Sequence, residues 1–135
     1  MIRVELEGRD WIELEENPLH VRFVGCDELI QRLQAMKAAH GPNPAQWPLP
    51  TGKDHVSILI RELVLKASGQ WQFPYAHEEL CHCRSVKTKT VDAAIVSGAH
   101  DTDTVSRWTS ASTACGTCRA DVQRIIDYRL RGQSP

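Results

Sequence analysis

The sequence predicts an α+β fold, in which a three-stranded antiparallel sheet with two helices precedes a smaller, all-helical region. Two observations lead to this prediction. Apolar and polar residues alternate with a period of two over the first 24 residues, which is typical of strands with one solvated face. Further along the chain, apolar residues recur with the i, i+3, i+4 spacing of amphipathic helices. The order of the two patterns places the sheet first.

Three strands are predicted from the alternating region. Their apolar positions are Ile2, Val4 and Leu6, then Ile12 and Leu14, and then Leu19, Val21 and Phe23. A turn at 8–10 and the Asn17-Pro18 break separate these segments. The short connections predict an antiparallel meander, and Glu13, Glu15 and Glu16 are expected on its solvated face.

Two helices are expected after the strands. Asp27 is a candidate N-cap for the first helix, which His40-Gly41-Pro42 ends, and Asp54 is a candidate N-cap for the second, which Ser68-Gly69 ends. The segment 41–52 between them holds four of the seven prolines, so we expect an extended loop there. Residues 1–70 are therefore predicted to form a βββαα domain.

The residues after Cys83 follow helical spacing and predict three short helices in a helix-turn-helix arrangement. Their apolar positions are Val91, Ala94 and Ile95, then Val105 and Trp108, and then Val122, Ile125, Ile126 and Leu130. Gly98 ends the first helix and Asp101 or Thr102 caps the second. We expect Trp108 in the core. The predicted division is a domain at 1–70, a linker at 71–78, a second domain at 79–131 and a tail at 132–135.

The charge balance and hydropathy exclude several classes of function. Lys and Arg number 16 against 17 Asp and Glu, so broad electrostatic capture of nucleic acid or anionic lipid is not expected. No apolar run reaches the length of a membrane span, and the N-terminal residues lack the layout of a signal peptide. We therefore expect a cytoplasmic protein. The sequence contains no GxGxxG, P-loop or nucleophile and base pattern, so it is not expected to be an enzyme.

Four of the five cysteines form two close pairs, Cys81-x-Cys83 and Cys115-x-x-Cys118, separated by 31 residues. In a reducing compartment, clustered thiols more often hold metal or perform redox chemistry than form disulfides. The second pair is expected at the start of a helix, where unsatisfied N–H groups and the helix dipole favour an anionic thiolate centre.

Two kinds of metal centre fit four thiolates. Zinc binds four cysteines tetrahedrally, but its familiar pairs have two or more intervening residues, unlike Cys81 and Cys83. A 2Fe-2S cluster needs two thiolates on each iron, which two chelating pairs provide. The residues favour the 2Fe-2S cluster, and a zinc-stabilised interaction module remains an alternative.

The C-terminal part resembles a known family over about residues 79–130. The segment "CHCRSVKTKTVDAAIVSGAHDTDTVSRWTSASTACGTCRADVQRII" resembles the bacterioferritin-associated ferredoxin domain, which is also found in the middle of the scaffold NifU and in some nitrite reductases. The shared features include the helix end at Gly98, Val105, Thr109-x-Ala111 and the second cysteine pair. The resemblance implies one 2Fe-2S cluster near the surface, with Cys81, Cys83, Cys115 and Cys118 as its ligands.

The N-terminal part resembles the NifU/IscU assembly domain more weakly. The βββα order, Gly25-Cys26 before a helix and "HVSILIREL" at the start of a later helix suggest this likeness. Only Cys26 matches a scaffold cysteine, and Val56 stands where another is expected. Cys26 is therefore expected to be a small buried hydrophobic residue, with a ligand or thiol-transfer role as the alternative.

Several residues beside the cysteines are candidates for tuning the site. His82 is expected to face solvent and to influence the potential through hydrogen bonding. The cationic residues Arg84, Lys87, Lys89 and Arg119 flank the thiols and would offset the negative charge of a thiolate cluster or guide an acidic partner.

The sequence thus favours a small one-electron carrier that exchanges electrons with a reductase and an acceptor protein. An iron-sulfur assembly accessory, which binds other assembly proteins, is the alternative. Neither hypothesis involves nucleic acid or a membrane.

Overall fold

A computed structural model describes residues 1–6, 9–16, 19–81, 85–111 and 118–131 of the chain. The chain forms two compact units, one built mainly from residues 1–71 and the other mainly from residues 72–135. The first unit contains a sheet and two helices, and the second contains a two-stranded hairpin and three helices. The α+β class predicted from the sequence is confirmed.

The sheet of the first unit is the predicted meander. Its strands are β1 (Ile2–Leu6), β2 (Asp10–Glu16) and β3 (Leu19–Val24), and they pair antiparallel in the order β1-β2-β3. Ile12 stands opposite Val4 on one side and Phe23 on the other. The alternating apolar residues point to one face, and Val4, Leu6, Ile12 and Leu14 are buried there.

Glu13 differs from the expectation of a solvated carboxylate. It is only 8% exposed, and its carboxylate accepts hydrogen bonds from the guanidinium groups of Arg3 and Arg22. These two arginines lie on the neighbouring strands directly opposite Glu13. The hydrogen bond from Arg22 is the main reason that the pKa of Glu13 lies below its usual value. Cross-strand pairing, which the local pattern does not reveal, accounts for the burial.

The two helices of the first unit are α1 (Asp27–His40) and α2 (His55–Ala67). The N-cap position of α1 is Cys26, one residue before the predicted cap, and its side chain makes no capping hydrogen bond. Every residue of α2 from Val56 to Leu65 is buried. A helix buried on all sides belongs to the interior of its unit.

The proline-rich loop between α1 and α2 is tied down by side chains. It contains a short 3-10 turn at Pro44–Gln46, and Trp47 Nε1 donates to the carbonyl of Gly41 at 2.8 Å. Arg61 of α2 donates to the carbonyls of Pro50 and Gly52 at 2.9 and 2.7 Å. These bonds satisfy loop carbonyls that have no partner in regular secondary structure.

The second unit begins with a hairpin that the sequence did not predict. Strands β4 (Glu79–Cys81) and β5 (Val86–Lys87) pair antiparallel, with an irregular register between Glu79 and Cys81. Strands of three and two residues are too short to produce a recognisable alternation. The part of the chain expected to be all-helical therefore carries a small sheet in front of its helices.

Three helices follow the hairpin, as predicted: α3 (Thr88–Ser97), α4 (Thr102–Thr109) and α5 (Arg119–Arg131). Asp101 is the N-cap of α4, and its carboxylate accepts a hydrogen bond from the backbone N–H of Thr104 at 2.7 Å. Gly98 ends α3 with a φ of +133°, a value that strongly favours glycine. Both helix boundaries are those that the sequence predicts.

The helices of the second unit enclose their own core. Its buried members include Leu80, Val86, Val91, Ile95, Ala99, Val105, Ala111, Cys118, Val122, Ile125 and Ile126. Arg129 of α5 donates two hydrogen bonds to the carboxylate of Asp92 in α3, at 2.7 and 2.6 Å. This bidentate ion pair is largely buried and fixes the two helices relative to each other.

The prediction that Trp108 lies in the core is wrong. Its exposed fraction is 56%, and Val105 is the residue through which α4 enters the core. A Cβ atom at Gly98 would lie 3.8 Å from Cη2 of the indole, so the ring covers the end of α3 at the surface. An eight-residue helix has room for few inward positions.

None of the helices in the described ranges combines the length and apolar character needed to cross a bilayer.

Candidate metal centre

Cys118 lies at the start of α5 in the core of the second unit. Its carbonyl accepts the hydrogen bond from the N–H of Val122 at 3.0 Å, which is the first bond of the helix. The residue is 7% exposed. A thiol at this position is close to the positive end of the helix dipole, which favours the anionic thiolate that a metal binds.

Cys81 is the last residue of β4 and stands opposite Val86 of β5. Ser85, which precedes β5, has a φ of 54°, a left-handed conformation that is uncommon for residues other than glycine. Because β4 and β5 run antiparallel, the chain reverses its direction between the two strands. The remaining predicted ligands, Cys83 and Cys115, lie outside the described residues, as do His82 and Arg84.

The two ligand segments border the same core. Leu80, which precedes Cys81, and Val86, which stands opposite Cys81, belong to the apolar cluster that also contains Cys118. Residues from the hairpin and from the start of α5 thus meet although 37 positions separate Cys81 and Cys118. This convergence is what a centre shared by the two cysteine pairs requires.

Tyr75 links these two segments. Its ring packs against the apolar cluster, and its hydroxyl donates to the carbonyl of Glu79 at 3.2 Å. Burial raises the pKa of Tyr75, and the negative charges of Asp121, Cys118 and Glu79 raise this pKa further. No spacing in the sequence marks Tyr75, because its partners are distant in the chain.

The cations beside the thiols have different environments. Lys87 and Lys89 are exposed, as expected for residues that act on a partner or on a cluster through solvent. Arg119, the first residue of α5, donates to Thr102 at 2.7 Å and to the Asp103 carboxylate at 3.0 Å. Asp103 therefore offsets part of the positive charge that Arg119 brings to the helix start.

The first unit contains a second thiol with polar neighbours. Cys26 is half-buried, and its Sγ donates to Oδ2 of the buried Asp10 at 3.6 Å. Gly25 permits Asp10 to lie close to Cys26, because a Cβ atom at position 25 would lie only 2.9 Å from Cγ of Asp10. Cys26 is thus not the fully buried apolar residue that the sequence suggested.

The sequence pattern does not connect Asp10 with Cys26, because no fixed spacing links the two residues. Asp10 begins β2, and Cys26 is the N-cap of α1, which follows β3. The antiparallel pairing of β2 with β3 brings Asp10 near the residues that follow Val24, and such a contact carries no periodic signature.

Comparisons with known proteins agree with the second unit. Residues 80–128 match the family model of the BFD-like 2Fe-2S binding domain, which covers a little over a third of the chain. A segment of 55 residues, 41% of this chain, is 33% identical to the large subunit of the NAD(P)H nitrite reductase of Klebsiella oxytoca. The matched segment amounts to 6% of that subunit. No solved structure matches the chain.

These matches define the protein as an iron-sulfur protein. The chain contains a BFD-like 2Fe-2S binding domain at residues 80–128, as its resemblance to the bacterioferritin-associated ferredoxin domain implied, and the cofactor of this domain is a 2Fe-2S cluster. The chemistry of the site agrees with this cofactor, because the matched range includes two cysteine pairs and Cys118 is placed at a helix start.

Proposed function

We propose that the protein is a small one-electron carrier whose 2Fe-2S cluster is held by Cys81, Cys83, Cys115 and Cys118. The observation that carries this proposal is the family match, which includes all four cysteines within residues 80–128. The apolar cluster that contains Leu80, Val86 and Cys118 supports it. When bound, the cluster supplies one-electron redox chemistry. We propose that the protein is not itself an enzyme, since the sequence contains no GxGxxG, P-loop or nucleophile and base pattern.

The partners of this carrier are a reductase that supplies the electron and an acceptor protein that removes it. The exposed Lys87 and Lys89 follow the first cysteine pair in the sequence and favour an acidic partner surface. The setting we propose is the cytoplasm, where a reducing pool keeps unligated cysteines as thiols.

The test begins with anaerobic purification and analysis of iron, zinc and acid-labile sulfide, together with an absorption spectrum. A 2Fe-2S protein contains equal amounts of iron and sulfide, absorbs in the visible range and bleaches on reduction. Individual Cys→Ser variants at the four positions should each lose most of the cluster, whereas Cys26→Ser should retain it. A colourless protein with one bound zinc would contradict the proposal.

Electron transfer is tested with the loaded protein. A flavin reductase with its reduced nicotinamide should bleach the cluster, and an oxidised haem protein should restore the absorption with a stoichiometry of one electron per cluster. A cluster that resists reduction under these conditions would overturn the carrier role while leaving cluster binding intact.

An iron-sulfur assembly accessory, related to NifU, is the second candidate function. The contact of Cys26 with the buried carboxylate of Asp10 supports it, because thiolate and carboxylate groups are ligands for zinc and iron. In this role the first unit would bind assembly proteins or hold an ion transiently, and the second unit would supply electrons or a cluster.

Cys26→Ser separates the two functions. In an assembly accessory, this variant keeps the stable 2Fe-2S cluster, but it no longer transfers a cluster to an apo-ferredoxin. It also loses any zinc that the parent protein binds in addition to its cluster. The control is Ser57→Ala, which removes a buried hydroxyl from α2 without removing a metal ligand. Full transfer activity in Cys26→Ser would eliminate the assembly role.

A further inference from the structure

The hairpin that carries Cys81 is held by side-chain hydrogen bonds from outside its two strands. Thr88, the first residue of α3, is 8% exposed, and its Oγ1 donates to the carbonyl of His77 at 2.6 Å. The backbone N–H of Thr88 donates to the carbonyl of Glu78 at 2.7 Å. Two bonds from one residue thus anchor the segment that leads into β4.

Tyr75 supplies a third anchor one residue further along. Its hydroxyl donates to the carbonyl of Glu79, the first residue of β4. Its ring packs against the cluster that contains Cys118, and its environment includes the charges of Cys118 and Asp121 from the start of α5. One side chain is therefore in contact with the surroundings of both ligand segments.

The hairpin needs such anchors because its own pairing is weak. It contains three residues in β4 and two in β5, and the register is irregular between Glu79 and Cys81. A two-stranded hairpin of this length is not stable in water by itself. Since metal ligands must be held in place for the centre to persist, the position of Cys81 depends on groups outside the ladder.

We infer that Tyr75 and Thr88 are positioning residues for the iron-sulfur centre, and that the Tyr75 hydroxyl keeps the Cys81 hairpin in register with the Cys118 helix start. The inference rests on the proposed ligation by the four cysteines. Tyr75 lies before the matched family range, so the centre depends on a residue outside the BFD-like domain itself.

The test compares two tyrosines of the second unit. Tyr75→Phe keeps the ring and removes only the hydroxyl that reaches Glu79. Tyr128→Phe is the matched control, because its hydroxyl accepts from the backbone N–H of Gln72 at 2.6 Å and it lies ten residues after Cys118 on α5. Ten residues of helix correspond to about 15 Å, so the backbone of Tyr128 is well separated from that of Cys118.

The measurements are the rate of cluster loss to an iron chelator and the electron paramagnetic resonance spectrum of the reduced cluster. Tyr75→Phe should lose its cluster roughly tenfold faster than the parent and show altered g values, as substitutions of groups that support ligands commonly do. Tyr128→Phe should keep the parent spectrum and rate, even if its melting temperature falls. Equal behaviour of the two variants would overturn the inference.

Thr88 gives a second comparison that does not depend on Tyr75. Thr88→Ser retains the hydroxyl and should retain the parent rate of cluster loss, whereas Thr88→Val keeps the shape and should lose the cluster faster. Equal rates in Ser and Val variants would remove Thr88 from the inference. If the parent protein contains no 2Fe-2S cluster, the proposed function fails instead, and the two failures are thus distinct.

Discussion

The two units of this chain obtain their stability by different means. The first unit buries ten consecutive residues of α2 and the inward faces of β1 and β2, and polar side chains such as Glu13 with Arg3 and Arg22 add to this burial. The second unit encloses an apolar core of its own and connects its elements through polar side chains, such as Arg129 with Asp92 and Thr88 with His77. The two units are nearly equal in size, so size does not separate them. They differ in that residues 80–128 of the second unit match a 2Fe-2S binding domain, so we expect this unit alone to depend on a bound cofactor.

The largest expected effect is loss of the cluster. Cys118→Ser should destabilise the second unit by more than about 4 kcal/mol, because binding of a metal centre to a small domain is also folding free energy. The first unit should keep its own thermal transition. Circular dichroism and calorimetry, which together resolve the two transitions, measure this difference. A second unit that melts unchanged without its cluster would contradict the comparison.

The buried ion pair of the second unit should give the next effect. Arg129→Ala should cost about 3–5 kcal/mol, because the carboxylate of Asp92 is left without its charged partner in a mostly buried site. The guanidinium also lies 5.8 Å from the centre of the Phe73 ring, and this contact is lost as well. Chemical denaturation of the loaded protein measures the loss.

The double variant Arg129→Met with Asp92→Leu is the control for the ion pair. It replaces both charges by apolar groups and should recover much of the stability, because no buried charge remains. If Arg129→Ala were as stable as the parent protein, the second unit would not depend on this ion pair.

An apolar truncation should affect the first unit alone. Leu63→Ala, at a fully buried position of α2, should lower the free energy of unfolding by about 2–5 kcal/mol through lost burial and a cavity. The visible absorption of the cluster should not change. Ile125→Ala in the core of the second unit is the counterpart and should both destabilise its unit and hasten cluster loss. Identical effects of the two substitutions on the cluster would remove the distinction between the units.

The smallest effects should come from acidification. The pKa of Glu13 lies below its usual value because of Arg22, and the pKa of Asp101 is lowered by hydrogen bonds from the backbone N–H and side chain of Thr104. Because both folded pKa values lie below the unfolded ones, the charged carboxylates stabilise their units above roughly pH 4. This contribution is lost as the pH falls through the folded pKa.

The substitutions Glu13→Gln and Asp101→Asn test whether the two units respond to acid independently. Each variant should flatten the pH dependence between roughly pH 2 and pH 5 for its own unit only. Thermal melts over that pH range check the result. If either substitution changed the acid response of both transitions, the units would not respond independently.

Much of the fold was predictable because it rests on local patterns. The alternation of Ile2, Val4 and Leu6 gave β1, and the helix ends at Gly98 and Asp101 followed from capping chemistry. The β4–β5 hairpin, the burial of Glu13 and the exposure of Trp108 were not predicted. Each depends on a neighbour that is remote in the sequence or on an element too short to show a period.

The candidate site divides in the same way. The cysteine spacing favoured a 2Fe-2S cofactor over zinc, and the resemblance to the bacterioferritin-associated ferredoxin domain supported the same cofactor, which the family match confirms. Cys83 and Cys115 lie outside the described residues, and their role as ligands stays a prediction. Tyr75, Thr88 and Asp10 had no such spacing, so their hydrogen bonds to Glu79, His77 and Cys26 became visible only in three dimensions.

The sequence by itself determined the α+β class, the order of its elements and the kind of cofactor, since residue type and periodicity are local properties. The tertiary structure decided which side chains hold the Cys81 hairpin, which carboxylate meets Cys26 and which aromatic residue faces solvent. These outcomes depend on contacts between residues far apart in the chain. The free energy of such contacts comes from burial and hydrogen bonding in the folded state, and no short stretch of sequence contains that information.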